Sequence, residues 1–201
     1  IERGGNGRSA GRLIQANGPF DIMGFQECED APRVLRDARL SNSHVALPGG
    51  HATAIAYRTA AWQELGSGRE DVAEDRQEQY YGLRGAGWAR LRHRQSGRTV
   101  FVVNHHGPLP VNTGGKCGGE ATAYNLLRLA GRHAAPGDAV ILLGDINADV
   151  NSATQQTLRE RLHRLAHDWV DAVFASCPGL SSRNLGSGGS DHNAIEAVLR
   201  L

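Results

Sequence analysis

The chain has 201 residues, of which 40% are hydrophobic and 21% are charged, and its formal net charge at pH 7 is +1. These values fit one domain over residues 1–201 that buries its own core, and they exclude an intrinsically disordered chain. The near-neutral charge gives no overall field that would attract nucleic acid. No apolar run approaches the ~20 residues of a membrane-spanning helix, so we expect no transmembrane segment. The polar start carries no signal-peptide pattern.

The first half of the chain alternates helical patterns with short apolar runs, as layered α/β proteins do. Residues 9–17 predict the end of a helix, and a strand follows over Phe20 to Gln26. Asp30 can cap a helix that runs to Ala38. Further strands are predicted over 53–57 and 86–93, with a long polar loop over 66–81.

The second half of the chain continues this alternation. The runs 99–103 and 139–143 are unbroken apolar segments, typical of strands that are buried on both faces. Between them, residues 120–133 predict a helix with one apolar stripe. A long loop is predicted over 107–119. Ser152 and Gln155 form a capping box that starts a further helix, which turns Leu158, Leu162 and Leu165 inward. The closing strands are predicted over 169–175 and 193–199.

Polar side chains stand where four of these strands begin or end. Buried strands that end in carboxylates, amides and histidines place polar groups at one rim of a sheet, where a pocket can form. Asp145 and Asn147 are two apart, so on an extended chain they point the same way and can together hold a water and a phosphate oxygen, or a hard metal ion. Each ending alone is usually a turn. The four endings are Gln26-Glu27, Asn104-His105-His106, Gly144 to Asn147 and Ser190-Asp191-His192.

The order of these endings resembles the endonuclease/exonuclease/phosphatase superfamily, the family of pancreatic deoxyribonuclease. Each motif has a counterpart, and together they cover the chain from about residue 9 to its last residue. The matches are Phe20 to Glu27 with the family's D-I-x-x-x-Q-E strand, Phe101 to His106 with its N-T-H strand (His105 replacing Thr), Ile141 to Asp149 with G-D-F-N-A-D, Val170 to Ser176 with I-D-Y-I-x-x-S, and Ser190 to His192 with S-D-H.

The resemblance implies a fold and a metal site. The fold would be a four-layer α/β sandwich with two packed mixed β-sheets, similar to deoxyribonuclease I. Glu27 would bind Mg²⁺, or Mn²⁺ in its place, and Asp191 would help to hold the metal region. Carboxylate and water are the ligands that Mg²⁺ prefers, and such an ion offsets charge on phosphate oxygens.

The resemblance also implies catalytic roles. Asp145 would orient or deprotonate the attacking water, and Asn147 would contact the scissile phosphate. His192, steered by Asp171, would be the base or the charge stabiliser, since a His–Asp pair keeps the imidazole in one tautomer and tunes its pKa. His106 would touch the phosphate or assist the leaving group.

One family element has no counterpart here. The family's first strand ends in an asparagine near the metal and should lie well before Glu27, but Asn6 and Asn17 are poor substitutes because neither ends an apolar strand. We therefore expect a domain that lacks its first strand, through truncation or loss. Sheets rarely leave an apolar edge bare, so another segment or a partner chain should cover the edge of the Phe20–Glu27 strand.

Two further features leave alternatives open. His51 stands where secreted deoxyribonucleases carry a glutamate that pairs with their catalytic histidine, yet an ordinary surface histidine explains it equally well. The loop 114–119 places Lys116, the only lysine, among glycines whose amides could approach a phosphate. It lacks the order of a Walker A loop, and a flexible loop without ligand is the alternative. The three cysteines match no zinc-site spacing.

The sequence thus predicts a divalent-metal-dependent hydrolase of phosphodiesters, most similar to a nuclease, whose substrate could be nucleic acid. Asn-Ala-Asp after Asp145 favours a diester over an inositol phosphate. The alternative is a catalytically weak or inactive relative that serves as a structural subunit of a larger assembly. The missing strand and the lack of a basic stripe leave room for it.

Overall fold

The computed structural model describes residues 8–201. Asn6, one of the two candidates for the missing asparagine, lies outside them. The helices are α1 Arg8–Asn17, α2 Ala31–Asp37, α3 Gly119–His133 and α4 Ala153–Arg159, with a short 3-10 turn at Gln77–Gln79. The strands are β1 Ile22–Phe25, β2 His44–Gly50, β3 Thr53–Arg58, β4 Trp62–Glu74, β5 Leu83–His93, β6 Thr99–His106, β7 Ala139–Asp145, β8 His163–Asp168, β9 Asp171–Ala175, β10 Gly179–Gly186 and β11 Ala194–Leu199.

Six strands form the larger sheet, in the order β4-β5-β6-β7-β9-β8. Strands β6 and β7 run parallel and are joined through α3, whereas the other neighbouring pairs are antiparallel. The parallel pair brings the carboxyl ends of β6 and β7 to the same rim, and the antiparallel β9 begins at that rim. This mixed sheet therefore gathers three strand termini in one place.

The other sheet layer consists of two antiparallel pieces, β1-β3-β2 and β10-β11. Both pieces pack on the same face of the six-stranded sheet. Ile55 and Tyr57 of β3 share one apolar core with Val100 and Val102 of β6, and Ile195 of β11 packs against that core. Among the described strands, the six-stranded sheet thus combines parallel and antiparallel pairs, whereas the strands of the second layer pair only in the antiparallel sense.

Helices cover the two outer faces. Helices α3 and α4 contribute Leu126, Leu129 and Leu158 to a core on the outer face of the six-stranded sheet. Helices α1 and α2 contribute Ile14 and Val34 to a core over β1 and β3. The order helix, sheet, sheet, helix confirms the predicted four-layer α/β sandwich. None of the described helices is long and apolar enough to cross a membrane.

Several boundaries follow their local signals. Asp30 caps α2 by accepting a hydrogen bond from the Arg33 backbone N–H at 2.9 Å, which satisfies a donor that the first turn would otherwise leave unpaired. The hydroxyl of Ser152 accepts from the Gln155 N–H at 3.2 Å in the same way. The side chain of Gln155 turns to the carbonyl of Ala148 instead, so only half of the predicted capping box forms.

Three boundary predictions were wrong. The polar stretch 66–81 is mostly the long strand β4, which pairs with β5 alone and exposes alternate residues; an edge strand of this kind is polar because one of its faces meets water. Helix α4 ends at Arg159, so Leu165 packs from β8 instead. Trp169 lies in the turn between β8 and β9, and the predicted closing strand begins only at Asp171.

A slot of about 600 Å³ separates the two pieces of the second sheet. Among the described residues, β1 pairs only with β3 and β11 pairs only with β10, so each turns an unpaired edge to the slot. Helix α1 lines it on one side, and Val100, Ile141 and Leu143 of the six-stranded sheet line it on the other. Its polar end reaches Asp145 and Asp171.

Candidate active site

Three predicted site residues form a row across neighbouring strands. The parallel register sets His106 of β6 opposite Asp145 of β7, and the antiparallel register sets Asp145 opposite Asp171 of β9. His106 Nε2 lies 3.4 Å from Asp145 Oδ2. All three residues are buried at the rim, so their mutual placement is fixed by strand pairing and does not depend on a mobile loop.

A fourth residue, His192, reaches this row from the segment before β11. Its Nδ1 lies 2.7 Å from Asp171 Oδ2, and its Nε2 lies 4.0 Å from Asp145 Oδ2. The hydrogen bond to the Asp171 carboxylate raises the pKa of His192 to about 9, although partial burial opposes the shift. Burial raises the pKa of Asp171 as well. The shift of His192 favours a charged imidazole at neutral pH, with a proton shared between Nδ1 and the Asp171 carboxylate.

Asp145 stays ionised in spite of its burial. Desolvation by itself would raise the pKa of this carboxyl, but the imidazole of His106, the backbone N–H of Asn147 and the charge of His192 together hold the pKa below its ordinary value. A buried carboxylate with this much support is a strong acceptor aimed at the rim. It can therefore orient a water molecule through that water's hydrogen.

Asn147 is locked beside Asp145 by its own backbone. Its φ of 50° lies in the left-handed region, which asparagine tolerates better than most residues. Its N–H donates to Asp145 Oδ1 at 2.9 Å, and its Nδ2 donates to the carbonyl of Gly107 at 2.9 Å. The side-chain Oδ1 accepts no hydrogen bond from the described residues, so the amide keeps free polar capacity next to the carboxylate.

Glu27 follows shortly after β1 and lines the same slot as Asp145 and Asp171. Its backbone also adopts a left-handed φ, 51°. Its carboxylate makes no hydrogen bond or ion pair with any described residue. Backbone strain of this kind is maintained when the surrounding structure holds it in place, and it is frequent at functional sites.

A buried amide pair holds the end of β1 against β6. Gln26 Nε2 donates to Asn104 Oδ1 at 2.5 Å, and Asn104 Nδ2 donates to the carbonyls of Phe25 and Ala54, both at 2.9 Å. The Asn104 side chain thus ties the two sheets together immediately beside Glu27. Gln26 and Asn104 both belong to the motifs singled out in the sequence, but only their contact in the structure indicates that they position the neighbouring Glu27.

Asp191 also lines the slot, and it is exposed. The hydroxyl of Ser190 lies 3.4 Å from its Oδ1. The structure therefore brings five of the seven predicted site residues together, namely His106, Asp145, Asn147, Asp171 and His192. Glu27 and Asp191 line the slot that Asp145 and Asp171 also line. Their individual chemical roles stay predictions.

Two sets of residues could hold a metal ion. The ligand atoms of Asp145, Asp171 and His192 all lie within 4.8 Å of one another. A doubly protonated imidazole has no lone pair to offer a metal, so the raised pKa of His192 makes this trio fit proton chemistry better. The carboxylate of Glu27, which lines the same slot as Asp191, fits a hard divalent ion, which prefers carboxylate and water oxygens.

The remaining features singled out in the sequence take structural positions. His51 Nε2 pairs with Asp71 Oδ1 at 2.7 Å and does not join the cluster. Lys116 Nζ lies 2.5 Å from Glu74 Oε1 and 5.5 Å from the Tyr80 ring centroid, so this ammonium already has a carboxylate partner. The loop 107–119 connects β6 to α3, as predicted.

His105, which replaces the family's threonine, is fully buried. It shares a hydrogen bond of 2.8 Å with the carbonyl of Gly85 through Nδ1, and burial lowers its pKa to about 4. Its Nε2 has no partner among the described residues. This histidine is therefore neutral at pH 7 and ties β6 to β5.

The fold is that of a superfamily of phosphoesterases. The family described as "Endonuclease/Exonuclease/phosphatase family" matches residues 3–192. The chain belongs to that family. Its members are generally hydrolytic enzymes and typically use a divalent metal. None of the curated proteins matches the sequence of this chain.

Solved structures of the same fold come from distant relatives. An endonuclease/exonuclease/phosphatase family protein from Bacteroides thetaiotaomicron superposes with a TM-score of 0.69 at 16% identity, covering 98% of this chain and 83% of that chain. A mannosyl-6-phosphatase from the same species gives 0.67 at 16%, with coverages of 98% and 86%. TDP2 from D. rerio, complexed with a single-strand DNA product, gives 0.67 at 17%, with 95% and 90%. At these identities the likeness shows the fold alone.

Proposed function

We propose that this chain is a divalent-metal-dependent phosphoesterase that hydrolyses phosphodiester bonds, most similar to a nuclease. The observation that carries the proposal is the buried row of His106, Asp145 and Asp171, which His192 joins through its hydrogen bond to Asp171. The carboxylate of Glu27, which has no partner among the described residues, lines the same slot. A row of this kind combines an ionised acceptor, a charged imidazole and a place for a cation within one rim.

Each residue in the row has a task that its surroundings support. The ionised Asp145 accepts a hydrogen bond from the attacking water and aims its oxygen at phosphorus. His192, kept charged by Asp171, lies 4.0 Å from that carboxylate and stabilises the negative charge that develops on the phosphate oxygens. The second Nδ2–H of Asn147 can donate to a non-bridging oxygen, and His106 assists the leaving group.

A divalent ion would be held by Glu27, with Asp191 beside it. When bound, it would supply charge compensation for the phosphate oxygens. The free state of the Glu27 carboxylate supports this assignment, because a carboxylate already committed to a guanidinium would not be available. Mg²⁺ is the ion we expect, and Mn²⁺, which also takes oxygen ligands, should replace it.

The preference for a diester over an inositol phosphate rests on the sequence Asn147-Ala148-Asp149 after Asp145 and stays a proposal. Asp149 accepts hydrogen bonds from Asn112 Nδ2 at 2.7 Å and from the Asn151 N–H at 2.8 Å, so it fastens the loop 107–119 beside the rim. The relatives of similar fold include a phosphatase and a protein bound to a DNA product. The substrate class must therefore be decided by assay.

The test is a metal-dependence assay on plasmid DNA, bis(p-nitrophenyl) phosphate and p-nitrophenyl phosphate in parallel. We expect turnover of both diesters with Mg²⁺ or Mn²⁺, slower turnover of the monoester, and a fall to the background rate in EDTA that added Mg²⁺ reverses. Turnover of the monoester alone would overturn the diester assignment. Absence of metal-dependent turnover on every substrate would favour the inactive structural subunit.

We also propose that a further strand, from another segment or from a partner chain, covers the slot. Among the described residues, both flanking edges, β1 and β11, carry backbone groups without a strand partner, and such edges readily accept another strand. The apolar floor of the slot, which includes Val100, Ile141 and Leu143, suits one face of a strand.

Hydrogen exchange can test this occupant. If a strand covers the slot, the slot-facing amides of β1 and β11 should approach the protection of the central strands, because hydrogen-bonded amides exchange only on opening. The amides of β6 serve as the internal control. Fast exchange of the slot-facing amides at every protein concentration would refute the proposal. Protection that rises with protein concentration would assign the slot to a second chain.

A further inference from the structure

Trp169 occupies the turn between β8 and β9, directly before the catalytic row. Asp168 pairs with Asp171 in the register, so Trp169 and Val170 form a two-residue turn. The φ of Trp169 is 48°, a left-handed value that is uncommon for a bulky side chain. Val170 is completely buried and anchors the turn, while Trp169 projects outward.

The indole ring lies against the proposed catalytic histidine and still faces water. Its centroid is 5.0 Å from the centroid of the His192 ring, with the planes inclined by 43°. The residue is 60% exposed, whereas Trp62 is 4% exposed and Trp88 stacks between Phe101 and His133. Trp62 is buried and Trp88 is partly buried against the core, whereas the outer face of the Trp169 ring meets solvent and is available to a ligand.

Hydrogen bonds hold the turn in register with the histidine segment. Asp168 Oδ2 accepts from Asn193 Nδ2 at 2.7 Å and from Asn184 Nδ2 at 3.0 Å. Asn193 is the neighbour of His192, and Asn184 belongs to β10. The turn bearing Trp169 is therefore tied to both the catalytic histidine's segment and the adjacent strand, and the ring is held in place before any ligand arrives.

We propose that Trp169 is a stacking platform for a nucleobase attached to the phosphate that the catalytic row binds. The inference rests on the proposed function, because it needs a phosphate beside His192. An aromatic face next to a phosphate site selects a planar, electron-rich group, and bases stack on tryptophan regardless of sequence. Sugar phosphates and lipid headgroups lack such a face. The platform would therefore give preference to nucleotides, whether free or within a single strand.

Binding of AMP and of ribose 5-phosphate, measured by calorimetry in the presence of Ca²⁺, separates base from phosphate. Wild type should bind AMP tighter than ribose 5-phosphate by roughly 5- to 100-fold, the range expected for one stacked base. Trp169→Ala should remove this difference by weakening AMP alone, and Trp169→Phe should retain most of it. A single-stranded pentanucleotide distinguishes a strand from a free nucleotide, since a strand site binds it tighter than AMP.

Tyr124→Ala provides the matched control, because Tyr124 is also an exposed aromatic residue, 56% exposed, but stands on α3. It should leave both affinities unchanged. The inference is overturned if Trp169→Ala weakens AMP and ribose 5-phosphate equally, since the ring would then only support His192, or if wild type binds the two ligands equally. Hydrolysis of bis(p-nitrophenyl) phosphate is measured separately. If wild type does not hydrolyse it but still binds AMP tighter than ribose 5-phosphate, the proposed activity is refuted and the stacking role of Trp169 is retained.

Discussion

Asp145→Asn should reduce phosphodiester hydrolysis to the background rate while the fold stays intact. The carboxylate is the ionised acceptor that aims the water, and an amide of the same shape carries no charge to attract it. The new side-chain oxygen can still accept the Asn147 N–H that Asp145 Oδ1 accepts at 2.9 Å. We expect a loss on the order of 10⁴-fold, the upper range for a positioned acid–base group. Steady-state kinetics on both diesters, with circular dichroism and melting temperature as folding checks, measure it.

Asp71→Asn is the matched control for this substitution. Asp71 also faces a histidine, His51 at 2.7 Å, but lies outside the rim. The same exchange of carboxylate for amide should therefore leave turnover within about twofold of wild type, as a substitution away from the reacting atoms should. Equal rates in wild type and Asp145→Asn would end the enzyme interpretation, whatever the motifs resemble.

His192→Ala should lower kcat on the order of 10²–10⁴-fold. The substitution removes the charge that faces Asp145 and leaves Asp171 without its partner. Asp171→Asn should reproduce part of that loss, because a neutral amide accepts the Nδ1–H at 2.7 Å more weakly than the carboxylate does and can also turn its NH2 group to the ring. The imidazole would then lose its fixed tautomer and the cause of its raised pKa.

Non-additivity provides the sharper measurement for this pair. If Asp171 acts only through His192, the double variant should be no slower than His192→Ala alone. A double variant in which the two losses multiply would contradict the assignment of Asp171 as a positioning residue. His51→Ala, which removes an imidazole paired with a carboxylate elsewhere, should keep wild-type turnover.

The elements with strong local signals could be predicted from the sequence. Unbroken apolar runs located β6 and β7, and Asp30 and Ser152 located the starts of α2 and α4. The long edge strand β4 could not be recognised, since one of its faces meets water, which exposes alternate residues and makes its composition that of a loop. Strand β10 was missed for the same reason, because most of its residues are exposed.

The candidate site was predicted through motif order and could not be assembled from local signals. Nothing in the sequence sets His106 opposite Asp145, because that neighbourhood arises from a parallel register across a helical crossover. Trp169 looked like part of a strand, since it directly precedes apolar residues. Only the turn geometry places its ring beside His192. The tie between Gln26 and Asn104 likewise exists only after the two sheets pack.

The two-stranded ribbon of β10 and β11 has a consequence for how the molecule responds to heat. A lone hairpin is marginally stable, and β10 lies almost wholly on the surface. The segment carrying His192 leads into this ribbon, whereas Asp145 and His106 sit in the centre of the six-stranded sheet. Local opening of the ribbon, which requires far less free energy than global unfolding, would therefore detach the histidine first. Catalysis would then fail on warming at temperatures where the six-stranded sheet is still folded. Thermal inactivation would therefore measure the opening of the ribbon, and calorimetric melting would measure the unfolding of the core.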